Sequence, residues 1–229
     1  MLHNIQAVLP QVDRLFLTLN QFEHVPDEIA GNERIVTVIP DDDLLDVGKF
    51  HFQPDPDDLI FTMDDDLVYP ADYVAHMLSF TEHMDFDTTL IGLHGLSPDA
   101  EAPSGWKYYH FRRGMKSIRG VTRLGTGVAL MKGTTYPPLA AMRGAEGYVD
   151  IRFAQWQIAQ GNLMWTVPRT RGWVKGNVPD ELQKYSLTER YLFRPTPQHQ
   201  AETRKLLQTT AANDGFRYFQ WKKLHRSGG

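Results

Sequence analysis

Short β-rich segments alternate with helical segments along most of the chain, which limits the folds that it can adopt. Apolar runs typical of strands occupy residues 14–20, 33–40, 57–63, 88–95, 122–132 and 163–169. Apolar residues at helical spacing occupy residues 2–11, 72–84, 148–162 and 199–213. Residues 43–52 indicate a turn followed by a short helix or extended piece, and residues 96–120 indicate a basic loop. Strands that alternate with helices predict an α/β fold with a mainly parallel sheet flanked by helices.

The composition excludes several classes of protein. Lysine and arginine number 24 against 28 acidic residues, a formal charge of −4 that is too mild for a dedicated nucleic-acid-binding protein. The hydrophobic content of 41% is enough for a core in a chain of 229 residues. No cysteine is present, which excludes disulfides, thiolate chemistry and cysteine-based zinc sites. No apolar run approaches the ~18 residues of a membrane span, and the first residues lack a signal-peptide pattern, so we expect a cytoplasmic protein.

Charge is distributed unevenly along the chain. Residues 41–66 contain ten aspartates and one lysine, whereas residues 102–132 contain seven lysines or arginines and no acid. Together the two segments could hold a divalent cation and an anionic ligand in one site. The alternative, that both are solvated faces, stays open at this point.

Three adjacent carboxylates follow the predicted strand at 57–63. In open α/β sheets ligands bind beyond the carboxyl ends of the strands, where Asp64, Asp65 and Asp66 are expected to lie. Carboxylates this close repel one another unless a cation neutralises them. Mg²⁺ and Mn²⁺ are usually held by one or two carboxylates, with phosphates and water as the other ligands. We therefore favour a metal site over a solvated acidic turn.

Several motifs occur in the order found in one enzyme family. They are LPQVDRLFLTLNQFEHVP (9–26), DVGKF (46–50), IFTMDDDLVYPADYV (60–74), LGTGVALM (124–131), YVDIRFAQWQIAQG (148–161) and VPRTRGW (167–173). With them the chain resembles the GT-A glycosyltransferases, close to the bacterial family 2-like enzymes of surface-polysaccharide assembly, over about residues 2–176. The resemblance implies a GT-A, Rossmann-like domain at 1–190 and a helical extension at 191–229. Such domains usually begin with a strand before the first helix, and here that first strand is expected to be missing.

The resemblance also implies donor-side roles for the aspartates of the family's DxD motif. It puts Asp64 on the ribose or sugar of a nucleotide-sugar and Asp66 on a divalent metal, Mn²⁺ or Mg²⁺. Because three aspartates are adjacent, the register of the motif is ambiguous, so Asp64 could also bind the metal and Asp65 could share either role.

Four further residues match functional positions of the family. Asn20 matches a position that contacts the base, and Gly48 and Lys49 match a segment near the nucleotide. Asp150 matches the general base of inverting members, which takes the proton of the acceptor hydroxyl. For Asp150 the alternative is an ordinary acid at a helix N-terminus.

The acceptor side is less sharply indicated. His94 could contact the acceptor or be a structural residue, and Trp173 could stack on a sugar ring or belong to the core. The cluster from Arg112 and Arg113 to Arg123 could clamp a pyrophosphate or an anionic acceptor, or be a solvated loop. The aromatic and basic tail at 216–226 suits peripheral contact with the inner face of a membrane or an inward-packed helix.

The predicted function is transfer of a sugar from a nucleotide-sugar donor, UDP-linked by preference, to a glycan or lipid-linked acceptor with inversion. Two alternatives remain. One is a degenerate GT-A domain that binds nucleotide or glycan without turnover. The other is a haloacid-dehalogenase-type phosphatase, because the aspartate run also satisfies that family's D-x-D nucleophile motif with Asp64 as the nucleophile.

Overall fold

The computed structural model describes residues 1–98, 106–178 and 196–208. Helices form close to where apolar spacing predicts them, although most are shorter. They are α1 (Leu2–Val8), α2 (Tyr73–Leu78), α3 (Leu139–Met142), α4 (Val149–Ala159) and α5 (197–208). Short 3₁₀ turns follow α1 at Leu9–Gln11 and form the DVGKF segment at Leu45–Phe50. Pro10 lies in the first of these turns, as a residue that cannot continue an α-helix should.

Twelve strands complete the described part of the chain. They are β1 (Leu15–Thr18), β2 (Ile35–Val38), β3 (Leu59–Met63), β4 (Leu67–Val68), β5 (Thr89–Gly92), β6 (Gly95–Pro98), β7 (Trp106–Tyr109), β8 (Arg119–Val121), β9 (Arg123–Leu124), β10 (Val128–Lys132), β11 (Leu163–Thr166) and β12 (Lys175–Gly176). The glycine-interrupted strand predicted at 122–132 is confirmed as β9 and β10. The prediction of a loop over 96–120 is wrong, because this region contributes to β6, β7 and β8.

The fold is mixed α/β, but the prediction of a mainly parallel sheet is wrong. The largest sheet has five strands in the order β3-β10-β5-β11-β8. Only β5 and β11 pair in parallel, whereas the other three pairings are antiparallel. A separate two-stranded sheet pairs β1 with β2 in parallel.

The reason for this error is that a later strand enters the sheet. β3, α2 and β5 form a strand–helix–strand crossover in which the two strands run the same way, as the alternation predicts. β10 then lies between them, antiparallel to each. Local sequence patterns report the type of each element but not which strand becomes its neighbour.

Both faces of the large sheet are buried, and helices cover them. On β5, Leu90 belongs to the apolar cluster that includes α4, while the next residue, Ile91, belongs to the cluster that includes α2. Successive strand residues point to opposite faces, so this alternation marks a sheet packed on both sides. The predicted flanking of the sheet by helices is confirmed.

A small three-stranded sheet in the order β7-β6-β9 stands beside the large one. The buried guanidinium of Arg169 holds the segment that follows β7 in place by hydrogen bonds. It donates from Nη2 to the carbonyl of His110 (2.9 Å), from Nε to that of Phe111 (3.3 Å) and from Nη1 to that of Val167 (3.0 Å). Nη2 also donates to the carbonyl of Tyr109 (3.4 Å), and these four backbone acceptors give this arginine a structural role.

Helix α5 packs on α4 rather than standing apart. Leu206 is buried in the same cluster as the residues of α4, and Glu202 pairs with Arg152 (3.3 Å) and accepts from Gln155 (2.8 Å). The predicted boundary at residue 190 and the tail at 216–226 lie outside the described residues. Within the described ranges, no helix has the length and apolarity needed to cross a membrane.

Replacing Gly133 with alanine should destabilise the fold. A Cβ there would overlap the backbone carbonyl of Asp55, in the turn just before β3. We expect Gly133→Ala to lower the free energy of unfolding by about 3 kcal/mol, measured by urea denaturation. Thr134→Ala, which shortens the exposed side chain of the neighbouring residue, is the control and should stay within about 0.5 kcal/mol of the wild type. Equal urea midpoints for Gly133→Ala and the wild type would contradict the tight packing.

Candidate active site

The acidic turn after β3 is held by hydrogen bonds to its backbone. The amide of Asp64 donates to the hydroxyl of Tyr69 (2.8 Å), and that hydroxyl donates to the carbonyl of Gly127 (2.6 Å). From α1, the side-chain amide of Asn4 donates to the carbonyl of Asp65 (2.7 Å). These three bonds involve backbone groups and not the carboxylates of the turn. They hold the turn in place without neutralising its negative charge.

Lys49 joins this turn to the loop before β10. Its Nζ forms an ion pair with the carboxylate of Asp64 and donates to Oγ1 of Thr126 (3.2 Å). Burial alone would lower the pKa of Lys49, but the negative charges of Asp64, Asp150 and Asp46 outweigh that effect and raise it. Lys49 is therefore a protonated cation surrounded by carboxylates.

Asp150 lies at the other end of this network. Its Oδ1 accepts from both the amide and the hydroxyl of Thr126, each at 2.8 Å. The hydroxyl of Thr126 thus accepts from Lys49 and donates to Asp150. Among the described residues only Oδ1 of Asp150 has hydrogen-bond partners, so Oδ2 is left for a ligand.

Asp46 bonds to the backbone just before Asp150, and its charge acts on Lys49. Its carboxylate accepts from the amides of Gly147 (2.7 Å) and Val149 (3.4 Å), at the start of α4. Burial raises the pKa of Asp46 despite these bonds and the nearby charge of Lys49. Asp46 accepts the hydrogen bonds of the amides at this helix end. The carboxylate of Asp150 is therefore not needed there, and it bonds to Thr126 instead.

Gly127 allows the close approach of this loop to Asp64. A Cβ at residue 127 would overlap Oδ2 of Asp64. Here a glycine is needed for space, since its φ is not in the left-handed region. The second glycine of the LGTG motif therefore lets the loop pack directly against the side chain of Asp64.

Asp66 is the carboxylate of the turn whose charge is least compensated. Partial burial of its carboxyl group and the negative charges of Asp64 and Asp65 raise its pKa to about 6. The residue as a whole is nevertheless exposed, so water screens these effects and their energetic cost is modest.

The donor set fits a divalent cation only as part of a larger complex. Within the described ranges, no group of three or more histidine or acidic side chains is arranged to hold a metal. Asp64 is engaged by Lys49, whereas Asp65 and Asp66 are exposed. One or two carboxylates completed by phosphate oxygens and water is the arrangement that Mg²⁺ and Mn²⁺ accept.

The structure puts Asn20 and Gly48 together at the DVGKF segment. The side chain of Asn20 donates to the carbonyl of Leu45 (2.9 Å) and accepts from the amide of Leu44 (3.1 Å). A Cβ on Gly48 would lie 3.0 Å from Cγ2 of Thr18. These contacts hold the segment that carries Lys49, so Asn20 and Gly48 both help to position that lysine. Their predicted contact with a nucleotide stays a prediction.

His94 and Trp173 lie in different surroundings. His94 packs over Gly125 beside His110, with ring centroids 5.2 Å apart, and burial lowers its pKa to about 4. Trp173 instead packs on α2, where its ring lies 4.4 Å from that of His76 and its Nε1 donates to Asp72 (3.0 Å). Sequence patterns grouped the two as acceptor contacts, but the structure does not bring them together.

Thr126, Tyr69 and Asp46 are site residues that sequence reasoning missed. Thr126 and Asp46 do lie inside the motifs LGTG and DVGKF, which was the available signal. Tyr69 likewise lies inside the motif IFTMDDDLVYPADYV, five residues after Asp64. The chain matches no protein-family model, and no curated protein gives a significant match.

Asp66→Asn should stabilise the metal-free protein at neutral pH. The folded state raises the pKa of Asp66 from 3.8 to about 6, so ionisation costs more in the folded than in the unfolded chain and stability falls as pH rises through this window. Removing the charge should be neutral near pH 4 and worth about 1 kcal/mol above pH 6, after allowance for screening at an exposed site. Urea denaturation at several pH values measures this. Asp41→Asn, on an exposed aspartate outside the site, should show no such pH dependence, and identical profiles for the two variants would contradict the repulsion.

Proposed function

We propose that this protein is a glycosyltransferase of the GT-A type that uses a divalent cation and a nucleotide-sugar donor, in surface-polysaccharide biosynthesis. The observation that supports it is the network Asp64–Lys49–Thr126–Asp150. It joins two acidic positions, 86 residues apart in the sequence (150 − 64), that the resemblance assigns to the two sides of the transfer reaction.

On the donor side, Asp65 and Asp66 are the exposed carboxylates available to a cation. A bound Mn²⁺ or Mg²⁺ would supply positive charge for the diphosphate leaving group. Lys49 adds a fixed positive charge beside Asp64. A lysine ammonium is a compact point charge suited to a phosphate oxygen, and in the absence of a ligand the carboxylates around it satisfy it.

On the acceptor side, Asp150 serves as the general base. Oδ1 is held by Thr126, and Oδ2 takes the proton of the attacking hydroxyl. The new bond joins the hydroxyl oxygen to the anomeric carbon, and the bond from that carbon to the diphosphate oxygen breaks. The leaving group departs as the nucleoside diphosphate with its bonding electron pair. Attack on the face of the sugar opposite the leaving group inverts the configuration at the anomeric carbon.

The alternative role of Asp150 as an ordinary acid at a helix N-terminus has less support. The side chain of Tyr148, the residue before α4, makes no capping hydrogen bond to the described residues, and Asp46 supplies the acceptors for the amides of Gly147 and Val149. Asp150 reaches instead to a loop 24 residues earlier in the sequence. A carboxylate held away from its own helix is positioned for a ligand.

Nucleotide binding should depend on the cation and on Asp66. We expect calorimetric titration with UDP or GDP to show binding that Mn²⁺ strengthens at least about tenfold. Asp66→Asn should remove this strengthening because it removes the exposed charge, and Asp41→Asn should keep it. Nucleotide binding of equal strength in Mn²⁺ and in chelator would contradict the role of the metal.

Asp150→Asn should separate binding from turnover. Asparagine keeps the shape and can still accept from Thr126, so donor affinity should stay within about twofold, while release of UDP from UDP-sugars falls at least about 100-fold. Asp72→Asn, which alters the carboxylate beside Trp173, is the matched control and should keep wild-type turnover. Nucleotide binding without turnover by the wild type would instead favour a degenerate binding domain.

A further inference from the structure

Arg123 differs from the other basic residues of its segment. The side chains that surround it in sequence are exposed to solvent, namely Arg112, Arg113, Lys116 and Arg119. Arg123 is half-buried, and its Nε is fully enclosed. The structure therefore separates the predicted basic cluster into a solvated group and one inward-facing guanidinium.

This guanidinium has no partner within the described parts of the chain. Nε makes no hydrogen bond, and no ion pair to Arg123 is found there. Burial lowers the pKa of Arg123, and the nearby negative charge of Asp150 offsets this only in part. An unpaired buried charge is costly, so such a residue is usually balanced by an anion.

The surroundings of Arg123 form one face of the small β7-β6-β9 sheet. Leu96 of β6 pairs with Arg123 on one side and with Tyr108 on the other. Residues directly opposite each other in antiparallel strands point to the same face. His94 and His110, two residues along their chains from Leu96 and Tyr108, share that face.

The rings on this face form a continuous aromatic surface. The ring of Tyr108 lies 5.0 Å from that of His94 and 5.5 Å from that of His110, and its residue is 41% exposed. A half-exposed aromatic ring with a polar hydroxyl is suited to stacking on a sugar. The face therefore combines a stacking surface with a cation that is unpaired within the described part of the chain.

The face lies on the Asp150 side of the site. His94 packs over Gly125, and the next residue, Thr126, bonds to Asp150. The charge of Asp150 also acts on Arg123, His94 and Tyr108. A ligand on this face would therefore lie beside Asp150, the proposed base, rather than beside the acidic turn. In a glycosyltransferase that ligand is the acceptor, not the donor diphosphate.

We propose that this face binds an acceptor sugar that carries an anionic group, a carboxylate or a phosphate, with Arg123 pairing with the anion and Tyr108 stacking on the ring. The anion site rests on a guanidinium that has no partner among the described residues, while naming its occupant as the acceptor rests on the proposed transferase function. Arginine is suited to this task because its planar fork binds carboxylate and phosphate oxygens in pairs.

Small glycosides test the anion preference without knowledge of the natural acceptor. The probes are methyl β-glucuronide, glucose 6-phosphate and the neutral methyl β-glucoside, titrated by ligand-observed NMR. We expect the wild type to bind at least one acidic probe about tenfold or more tightly than the neutral one. The tighter of the two acidic probes identifies carboxylate or phosphate. Equal affinity for all three probes would overturn the proposal.

Variants of Arg123 then assign the preference to this residue. Arg123→Gln should remove the preference, and Arg123→Lys should keep a weaker one, because it retains the charge without the planar fork. Arg119→Gln, on an exposed arginine of β8, should bind like the wild type. A preference that survives in Arg123→Gln would overturn the assignment. Thermal denaturation gives a second readout, in which the acidic probe should raise the Tm of the wild type but not that of Arg123→Gln.

The same variants distinguish this inference from the proposed function. Manganese-dependent UDP binding without any acidic preference would reject the anion site and leave the transferase intact. An acidic preference without nucleotide binding would reject the transferase and leave the anion site intact. If Arg123→Gln weakens binding of UDP-glucuronate relative to UDP-glucose but not that of the free acidic probes, the anion belongs to the donor and the acceptor assignment fails.

Discussion

The antiparallel ladder between β3 and β10 sets the geometry on which the candidate site depends. Val128 pairs with Met63, so the loop before β10 is carried to the end of β3, where the aspartates begin. Gly127 then packs against Asp64 because it has no side chain, and the hydroxyl of Tyr69 bonds to both the turn and the loop. A shift of this ladder by one residue would invert which side chains face each buried layer and would separate the two segments.

Charge balance at this junction is provided by one lysine among several carboxylates. Lys49 pairs with Asp64 and lies within the field of Asp46 and Asp150, so its raised pKa keeps it charged. Asp46 satisfies backbone amides at the start of α4, whereas Asp66 is exposed and repelled by its neighbours. One end of the site is therefore internally satisfied, and the acidic turn is left with excess negative charge. That difference is the reason why we propose the turn, rather than the interior, as the cation site.

The two substrate sides that we propose correspond to two different sheets. The donor side is built at the end of β3 in the large sheet, and the acceptor side is the face of the small sheet that carries Tyr108 and Arg123. Asp150 lies between them and is bonded to neither sheet's strands but to the loop at Thr126. Because the proposed base is on a separate helix, contacts with Asp46 and Thr126 can set its position independently of either proposed ligand.

Local sequence patterns determined the type of most elements and marked the segments of the candidate site. Apolar spacing located α1, α4 and β3, because the burial of one helical stripe or one strand is a local property of the chain. The aspartate run and the motifs DVGKF and LGTG marked the segments that meet around Lys49. The mixed strand order, the strands within 96–120 and the partnerships of Asp46, Tyr69 and Thr126 were decided only by tertiary structure. They depend on which strand lies beside which, and in this fold β10 enters between two strands that precede it by dozens of residues. The unpaired state of Arg123 likewise became visible only in three dimensions, because burial and the absence of a partner among the described residues are properties of neighbours that no local pattern encodes.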